Sequence, residues 1–117
     1  MARWPTAGTG ERDLRRIRVV DEKTGANRNL TGYQLELFIW SINTVLDEGV
    51  AVKRNSVDNP TQFTAIDLVH GLFYFEPDAA WFYAAGEFAI KLKVHSDPPY
   101  YAPAGEPDYI TVVKNPS

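Results

Sequence analysis

The chain of 117 residues contains no cysteine. Disulfide bonds and thiolate metal sites are therefore excluded, and core packing or partners must hold the fold together. No apolar run approaches the roughly 20 residues that a membrane-spanning helix needs. The first six residues also lack the apolar core of a signal peptide. We expect a chain that is neither inserted in a membrane nor exported by the usual route, with no membrane partner.

Residues that carry catalytic chemistry are scarce. The only histidines are His70 and His95, and His95 begins a His-Ser-Asp run. Neighbouring residues of a strand point to opposite faces, so this run cannot form a nucleophile–base–acid relay. Acidic residues occur in two pairs, Asp47 with Glu48 and Glu106 with Asp108, and neither pair has the alternating acidic spacing of a calcium site. No glycine-rich phosphate-binding loop is present. We expect no enzymatic activity, no catalytic residues, no cofactor and no metal.

What the sequence does contain is alternation, most clearly over residues 86–95. Its apolar residues fall at every second position, with charged or polar residues between them: Phe88, Ile90, Leu92 and Val94. A period of two is typical of a strand with one face in a core and the other in water. Hydrophobic residues make up 44% of the chain and charged residues 23%, which indicates an ordinary globular protein.

Six further segments resemble strands, separated by turn residues at regular intervals. The seven predicted strands are residues 12–21, 31–42, 50–53, 62–68, 72–76, 86–95 and 109–114. This pattern predicts an all-β fold, an antiparallel β-sandwich of about seven strands with Greek-key connections. A small open barrel is the alternative. We expect an extended N-terminal arm outside the core at 1–11, a sandwich domain at 12–114 and a tail at 115–117.

The predicted strand at residues 31–42 changes character along its length. Tyr33, Leu35, Leu37 and Ile39 share one face, while the other face begins polar and becomes apolar at Phe38, Trp40 and Ile42. Such a strand starts half exposed and ends covered on both sides, by a loop or by a partner.

Charge is distributed unevenly along the chain. Residues 1–30 carry seven Lys or Arg against four Asp or Glu, a net +3, and residues 31–117 carry five against eleven, a net −6. A basic leading segment on an acidic body suits acidic neighbours or nucleic acid. The plain alternative is a solvated strand face. Of the two charged partners, nucleic acid is disfavoured.

Aromatic residues are concentrated in the second half of the chain, and core packing explains most of them. Tyr74 should point away from its neighbours Phe73 and Phe75, and Tyr100 and Tyr101 fall in a proline-rich loop with no obvious core to enter. Tyrosine and tryptophan are enriched where subunits meet, as arginine is. The candidate contact residues are Trp4, Arg15, Arg16, Arg18, Tyr74, Tyr100 and Tyr101.

Three motifs carry a resemblance to a known family. Residues 29–33 read NLTGY, residues 67–74 read DLVHGLFY and residues 85–90 read AGEFAI. In this order and spacing they resemble the N-terminal immunoglobulin-like domain of phage baseplate upper proteins. The resemblance covers about residues 12–114.

The resemblance implies an immunoglobulin-like sandwich that docks onto the tail or baseplate of a tailed phage and positions receptor-binding proteins. The expected partners are other virion proteins and copies of the chain itself. The expected location is the virion (tail, baseplate, neck or capsid surface), after synthesis in the host cytoplasm. The alternative is a carbohydrate-binding module that recognises host surface glycans through exposed rings such as Tyr100 and Trp81.

Overall fold

The computed structural model describes residues 4–21, 23–43, 51–103 and 107–114. Within these ranges the chain forms nine strands and two single-turn 3-10 helices, at Pro60–Gln62 and Leu68–His70. The strands are β1 (Ala7–Gly8), β2 (Arg15–Arg18), β3 (Leu35–Ser41), β4 (Val52–Asn55), β5 (Phe63–Asp67), β6 (Leu72–Phe75), β7 (Gly86–Val94), β8 (Tyr100–Ala102) and β9 (Asp108–Val113). The predicted tail at 115–117, the first three residues of the predicted arm and the start of the strand predicted at 50–53 lie outside the described residues.

The strands form two sheets. The larger sheet has the order β1-β9-β7-β3-β4, with β8 also paired to β7, and the smaller sheet has the order β2-β6-β5. The chain crosses between the sheets at β1–β2, β2–β3, β4–β5 and β6–β7, so neighbours in a sheet are often distant in sequence. The predicted all-β, sandwich-like fold is confirmed. The immunoglobulin-like assignment goes further and stays a prediction.

Strand β7 is the centre of the larger sheet. It pairs antiparallel with β3 along one side, and with β9 and then β8 along the other. Its four predicted inward residues are 4% exposed or less, and they pack with residues of both sheets: Phe88, Ile90, Leu92 and Val94. Burying each such side chain contributes about 1.5–3 kcal/mol. The alternation in residues 86–95 therefore forms the core face, as predicted.

The smaller sheet supplies the opposite side of the core. Phe73 and Phe75 on β6 are 1% and 0% exposed, while Tyr74 between them is only half-buried. Phe75 meets the edge of the Trp81 indole, with ring centroids 5.1 Å apart. The predicted division of β6 between an inner and an outer face is confirmed.

The far end of β3 is buried on both faces. Phe38 is 0% exposed and Trp40 is 8% exposed, and with Ala89 of β7 they form a second apolar cluster on the outer side of the larger sheet. Tyr109 and Ala51 pack against this cluster. The double-sided cover predicted for this strand is confirmed at Phe38 and Trp40, where it comes from the chain itself, and it is wrong at Ile42, which is 46% exposed.

Two segments contradict the sequence-based picture. Ala7 is 1% exposed within the main core, and β1 pairs in parallel with β9, so this part of the predicted arm does not lie outside the core. Residues 100–102, predicted as loop, form β8 against β7. Strands of two or three residues are too short to show an alternating pattern in the sequence. β1 is held by its pairing with β9, and β8 is held by its pairing with β7.

Gly71 fixes the approach of the β2–β3 connection to β6. It has φ of +75°, and its carbonyl accepts a hydrogen bond from Val19 N at 2.8 Å. A Cβ added to Gly71 would lie 2.4 Å from the backbone oxygen of Val19 and 2.8 Å from that of Arg28. Only glycine satisfies both the backbone angle and this close contact.

We expect Gly71→Ala to lower the free energy of unfolding by about 3 kcal/mol or more, because positive φ and a backbone clash act together. Gly25→Ala is the matched control: Gly25 has φ of +73° but open space around it, so the cost should be about 1 kcal/mol. Urea unfolding measures both. Equal losses in the two variants would show that the Val19 contact contributes nothing.

An ion pair joins the two sheets at their β4 and β6 ends. The Arg54 guanidinium donates to both carboxylate oxygens of Asp78, from Nε at 2.7 Å and from a terminal nitrogen at 3.2 Å. Gln62 Nε2 and the backbone N–H of Ala80 also donate to this carboxylate. The hydrogen bond from Arg54 is the main reason that the pKa of Asp78 lies below its ordinary value, against the opposing effect of burial.

Because the folded pKa of Asp78 is depressed, its contribution to stability is complete above the unfolded pKa and is lost as pH falls through the folded pKa. We expect the stability advantage of the wild type over Asp78→Asn to shrink as pH falls through the ordinary aspartate pKa of about 3.9 and on towards the lower pKa of the folded state. Urea unfolding across this range measures it, and Arg54→Gln should remove the same part of the profile. Parallel curves for the wild type and Asp78→Asn would contradict the assignment.

Candidate functional site

Three of the predicted contact residues meet on the outer face of the smaller sheet. Arg16 of β2 pairs with Tyr74 of β6, which pairs in turn with Thr64 of β5. Arg18 lies two residues further along β2, on the same side as Arg16, because strand residues alternate between faces. Both arginines are exposed and Tyr74 is half-buried. The pairing of β2 with β6 therefore brings these three residues to one face. The sequence predicted each of them only as a separate contact residue.

The other edge of this face is less charged and partly apolar. Ile66, at the irregularity in the β5–β6 register, is 43% exposed, and Thr64 is exposed beside Tyr74. Asp67 ends β5, and its carboxylate lies 2.7 Å from Nδ1 of His70. The outer face of the smaller sheet is thus basic along β2, aromatic at its centre and acidic at Asp67, and the exposed Glu76 follows Tyr74 two residues beyond it. Thr64 and Ile66 are not among the predicted contact residues, although their period-two spacing indicates a shared face.

Arg15 lies on the opposite face of β2, where its side chain contacts other parts of the fold. Its side chain is 11% exposed and forms an ion pair with Glu11. Its guanidinium carbon lies 6.0 Å from the Trp4 ring centroid and 5.5 Å from that of Phe82. Trp4 is half-buried and donates its backbone N–H to Tyr109 O at 2.8 Å. Arg15 and Trp4 therefore come together, and they tie the N-terminal segment to both sheets.

The two tyrosines of β8 point in different directions. Tyr100 packs against the main core, donates its hydroxyl to Val20 O at 2.9 Å, and has the Arg28 guanidinium carbon 3.7 Å from its ring centroid. The expectation that Tyr100 has no core to enter is wrong, because pairing with β7 turns it inward. Tyr101 lies on the outer face of the larger sheet, with Lys93 Nζ 5.7 Å from its ring centroid.

The exposed rings needed for a glycan platform are fewer than expected. Trp81 is 0% exposed and lies in the main core, so its nomination as a glycan contact is wrong. Trp40 is 8% exposed in the second apolar cluster. Trp81 packs between the sheets and Trp40 packs on the outer side of the larger sheet, and adjacency in sequence reveals neither contact.

Each histidine lies beside a different carboxylate, His70 beside Asp67 and His95 beside Glu36, and the two histidines do not share a site. His95 Nε2 lies 3.0 Å from Glu36 Oε1 across the β3–β7 pair. Ser96, its neighbour in sequence, donates its hydroxyl to Pro98 O at 2.8 Å instead. Among the residues that the structure describes, no group of three or more metal-ligating side chains converges. No helix in the described ranges has the length and apolar character to cross a bilayer.

The different environments of Arg15 and Arg16 predict different effects of substitution. Arg15→Ala should lower the free energy of unfolding by about 1–3 kcal/mol, since it removes a half-buried ion pair and the packing of Trp4 and Phe82. Arg16→Ala, the matched control on the same strand, should change it by no more than about 0.5 kcal/mol. Thermal and urea unfolding test this. The assignment of Arg15 to the fold fails when both variants match the wild type.

Comparison of the chain with family models, with curated proteins and with solved structures found no match in any of the three.

Proposed function

We propose that this chain is a non-enzymatic docking module that binds an acidic protein surface through the outer face of its smaller sheet. The observation that carries the proposal is the assembly of Arg16, Arg18 and Tyr74 on one solvent-facing sheet surface. Arginine and tyrosine are the residue types most often found at the energetic centre of protein interfaces.

Charge favours an acidic occupant of this face. Arg16 and Arg18 project from the basic first quarter of the chain, while residues 31–117 carry a net charge of −6. A second copy could therefore supply the acidic surface, as could a different protein of the same assembly. Complementary charge increases the rate of association and selects the partner, and Tyr74 with Ile66 supplies apolar area at the centre.

The assembly that we propose is a tailed-phage virion, with the module on the tail, the baseplate, the neck or the capsid surface. This part of the proposal depends on the resemblance of residues 29–33, 67–74 and 85–90 to the baseplate upper protein domain. A sandwich suits such a role because the smaller sheet packs one face in the core and leaves its other face outward. The outer face can bind a neighbour while the core stays intact.

The triple substitution Arg16→Ser, Arg18→Ser and Tyr74→Ser should reduce the amount of the chain in purified phage particles at least about tenfold, equivalent to about 1.4 kcal/mol of binding free energy. Quantitative immunoblotting of particles that receive the chain by complementation measures this. Circular dichroism and thermal unfolding should stay close to the wild type, since these side chains lie outside the core.

The matched control replaces two exposed basic residues and one exposed tyrosine elsewhere: Arg12→Ser, Lys23→Ser and Tyr33→Ser. It changes the charge equally and should leave incorporation unchanged. Equal incorporation of both triple variants would remove the outer face from the proposal, and absence of the wild-type chain from particles would refute the virion assignment. Deleting residues 1–11 is a poorer test, because Ala7 belongs to the core.

A further inference from the structure

Strand β2 has one paired edge and one open edge in the smaller sheet. Val19 N donates to Gly71 O at 2.8 Å, so Val19, and Ile17 two residues before it, turn their backbone N–H and C=O groups towards β6. Arg16 and Arg18 alternate with these residues, and they stand opposite their partners on β6 without exchanging backbone hydrogen bonds with them. Their N–H and C=O groups therefore point to the open edge.

The next residue of the same alternation supports this orientation. Val20 O, which the alternation also directs to the open edge, accepts a hydrogen bond from the Tyr100 hydroxyl at 2.9 Å. Among the described residues, no hydrogen bond of this kind reaches the backbone of Arg16 or Arg18 from the open side. The edge is therefore capped at Val20, and before it the edge presents the backbone donors and acceptors of two residues, which are a template for an added strand.

Open space lies beside this edge. A half-open cleft of about 170 Å³ separates β2 from the larger sheet, and Ile17, Arg18 and Val20 line its β2 side. The opposite wall is partly apolar and partly polar: Ile90, Lys91, Leu92, Ala102 and Asp108. The cleft gives a partner strand room beside β2, and a side chain that points inward next to Ile17 has space to enter.

The side chains of β2 select the partner strand. Arg16 and Arg18 are exposed on the outer face, and Ile17 between them is half-buried on the inner face. A second copy that paired its own β2 antiparallel about Ile17 would place arginine directly opposite arginine, which is destabilising. A strand with carboxylates at these two positions forms cross-strand ion pairs instead. The edge therefore favours an acidic strand of another protein over the β2 strand of a second copy.

We propose that β2 binds an extended acidic segment of a partner protein by antiparallel strand addition. The segment alternates carboxylate and apolar residues, with carboxylates opposite Arg16 and Arg18 and an apolar side chain beside Ile17 at the cleft. Antiparallel pairing continues the pattern of the smaller sheet, and opposite residues whose backbone groups face each other exchange both hydrogen bonds. The acidic residues of the segment therefore carry the ladder to β2. This inference rests on the proposed docking function for the choice of a protein partner, and it specifies that partner.

The test titrates end-capped heptapeptides into the full chain at neutral pH, with NMR observation of the backbone amides of β2. The peptide EVEVEVE should shift the amides of Arg16 and Arg18 saturably and slow their exchange with solvent. The amide of Ile17, which faces Phe73 of β6, is the internal control and should keep its exchange rate. The grouped peptide EEEVVVE and the basic peptide KVKVKVK should bind at least about tenfold more weakly.

Three outcomes of this titration would overturn the proposal. They are the absence of shifts with EVEVEVE, equal binding of EVEVEVE and EEEVVVE, and protection of the Arg16 and Arg18 amides that depends on the concentration of the chain without peptide. The last outcome would identify a second copy as the occupant of the edge.

Methylation of the peptide backbone separates strand addition from simple charge attraction. N-methylation of the glutamates of EVEVEVE blocks the N–H groups that face β2, and it should weaken binding at least about tenfold. N-methylation of the valines, whose N–H groups face away from β2, is the matched control and should leave binding unchanged. Equal binding of the two methylated peptides would overturn strand addition, and the reverse order of affinity would overturn the antiparallel direction.

Two variants of one residue test the same point from the side of the chain. Arg18→Pro and Arg18→Ala remove the same charge, but only proline also removes the N–H group that faces the open edge. We expect Arg18→Pro to bind EVEVEVE at least about tenfold more weakly than Arg18→Ala. Equal affinities contradict the proposal, and the methylated peptides decide it in the wild type where circular dichroism shows that Arg18→Pro does not fold.

Strand addition and the docking face fail separately. Loss of the triple variant from phage particles, together with no binding of EVEVEVE by the wild type, would refute strand addition and leave the docking face. Wild-type incorporation of the triple variant, together with binding of EVEVEVE by the wild type, would refute the docking face and leave a peptide-binding edge.

Discussion

The structure depends on the burial of one face of β7. Phe88, Ile90, Leu92 and Val94 are covered from above by the smaller sheet, while the backbone of the same strand is paired on both sides. A central strand of this kind fixes the positions of β3, β8 and β9 through its hydrogen bonds, and a shift by one residue would expose all four side chains. In a chain without cysteine, this packing has no covalent substitute.

The two sheets differ in how their outer faces are used. The larger sheet is covered on part of its outer side, where Phe38 and Trp40 form a second apolar cluster with Ala89. The smaller sheet has no comparable cluster among the described residues, and its outer face presents Arg16, Arg18 and Tyr74. The large apolar residues on the outer side of the larger sheet are buried by other residues of the chain, whereas Arg16 and Arg18 are exposed outside the core. This asymmetry makes the smaller sheet the better candidate for binding a partner.

Each of the seven segments predicted from sequence contains a strand, although β2 is shorter than the predicted residues 12–21 and β4 ends two residues later than the predicted 50–53. Alternation is clearest in β7, whose buried face it predicts, and it is absent from the burial of β5. Alternation could also predict that Arg16 and Arg18 point outward. It could not predict β1 and β8, which have two and three residues and depend on edges supplied by β9 and β7. Long-range contacts were equally hidden: Arg54 and Asp78 meet across the sheets, and Arg15 is enclosed by Trp4 and Phe82. These contacts follow from the topology, which local patterns do not contain.

Strand β2 belongs both to the core and to the proposed docking face. Its inward residues, Ile17 and Val19, pack in the main core, and its outward residues, Arg16 and Arg18, are exposed. In the smaller sheet β2 and β5 are both edge strands, each hydrogen-bonded to β6 on one side only. An edge strand has fewer backbone hydrogen bonds to hold it than a central strand, so a partner bound across Arg16, Arg18 and Tyr74 would restrain β2 as well as bind it.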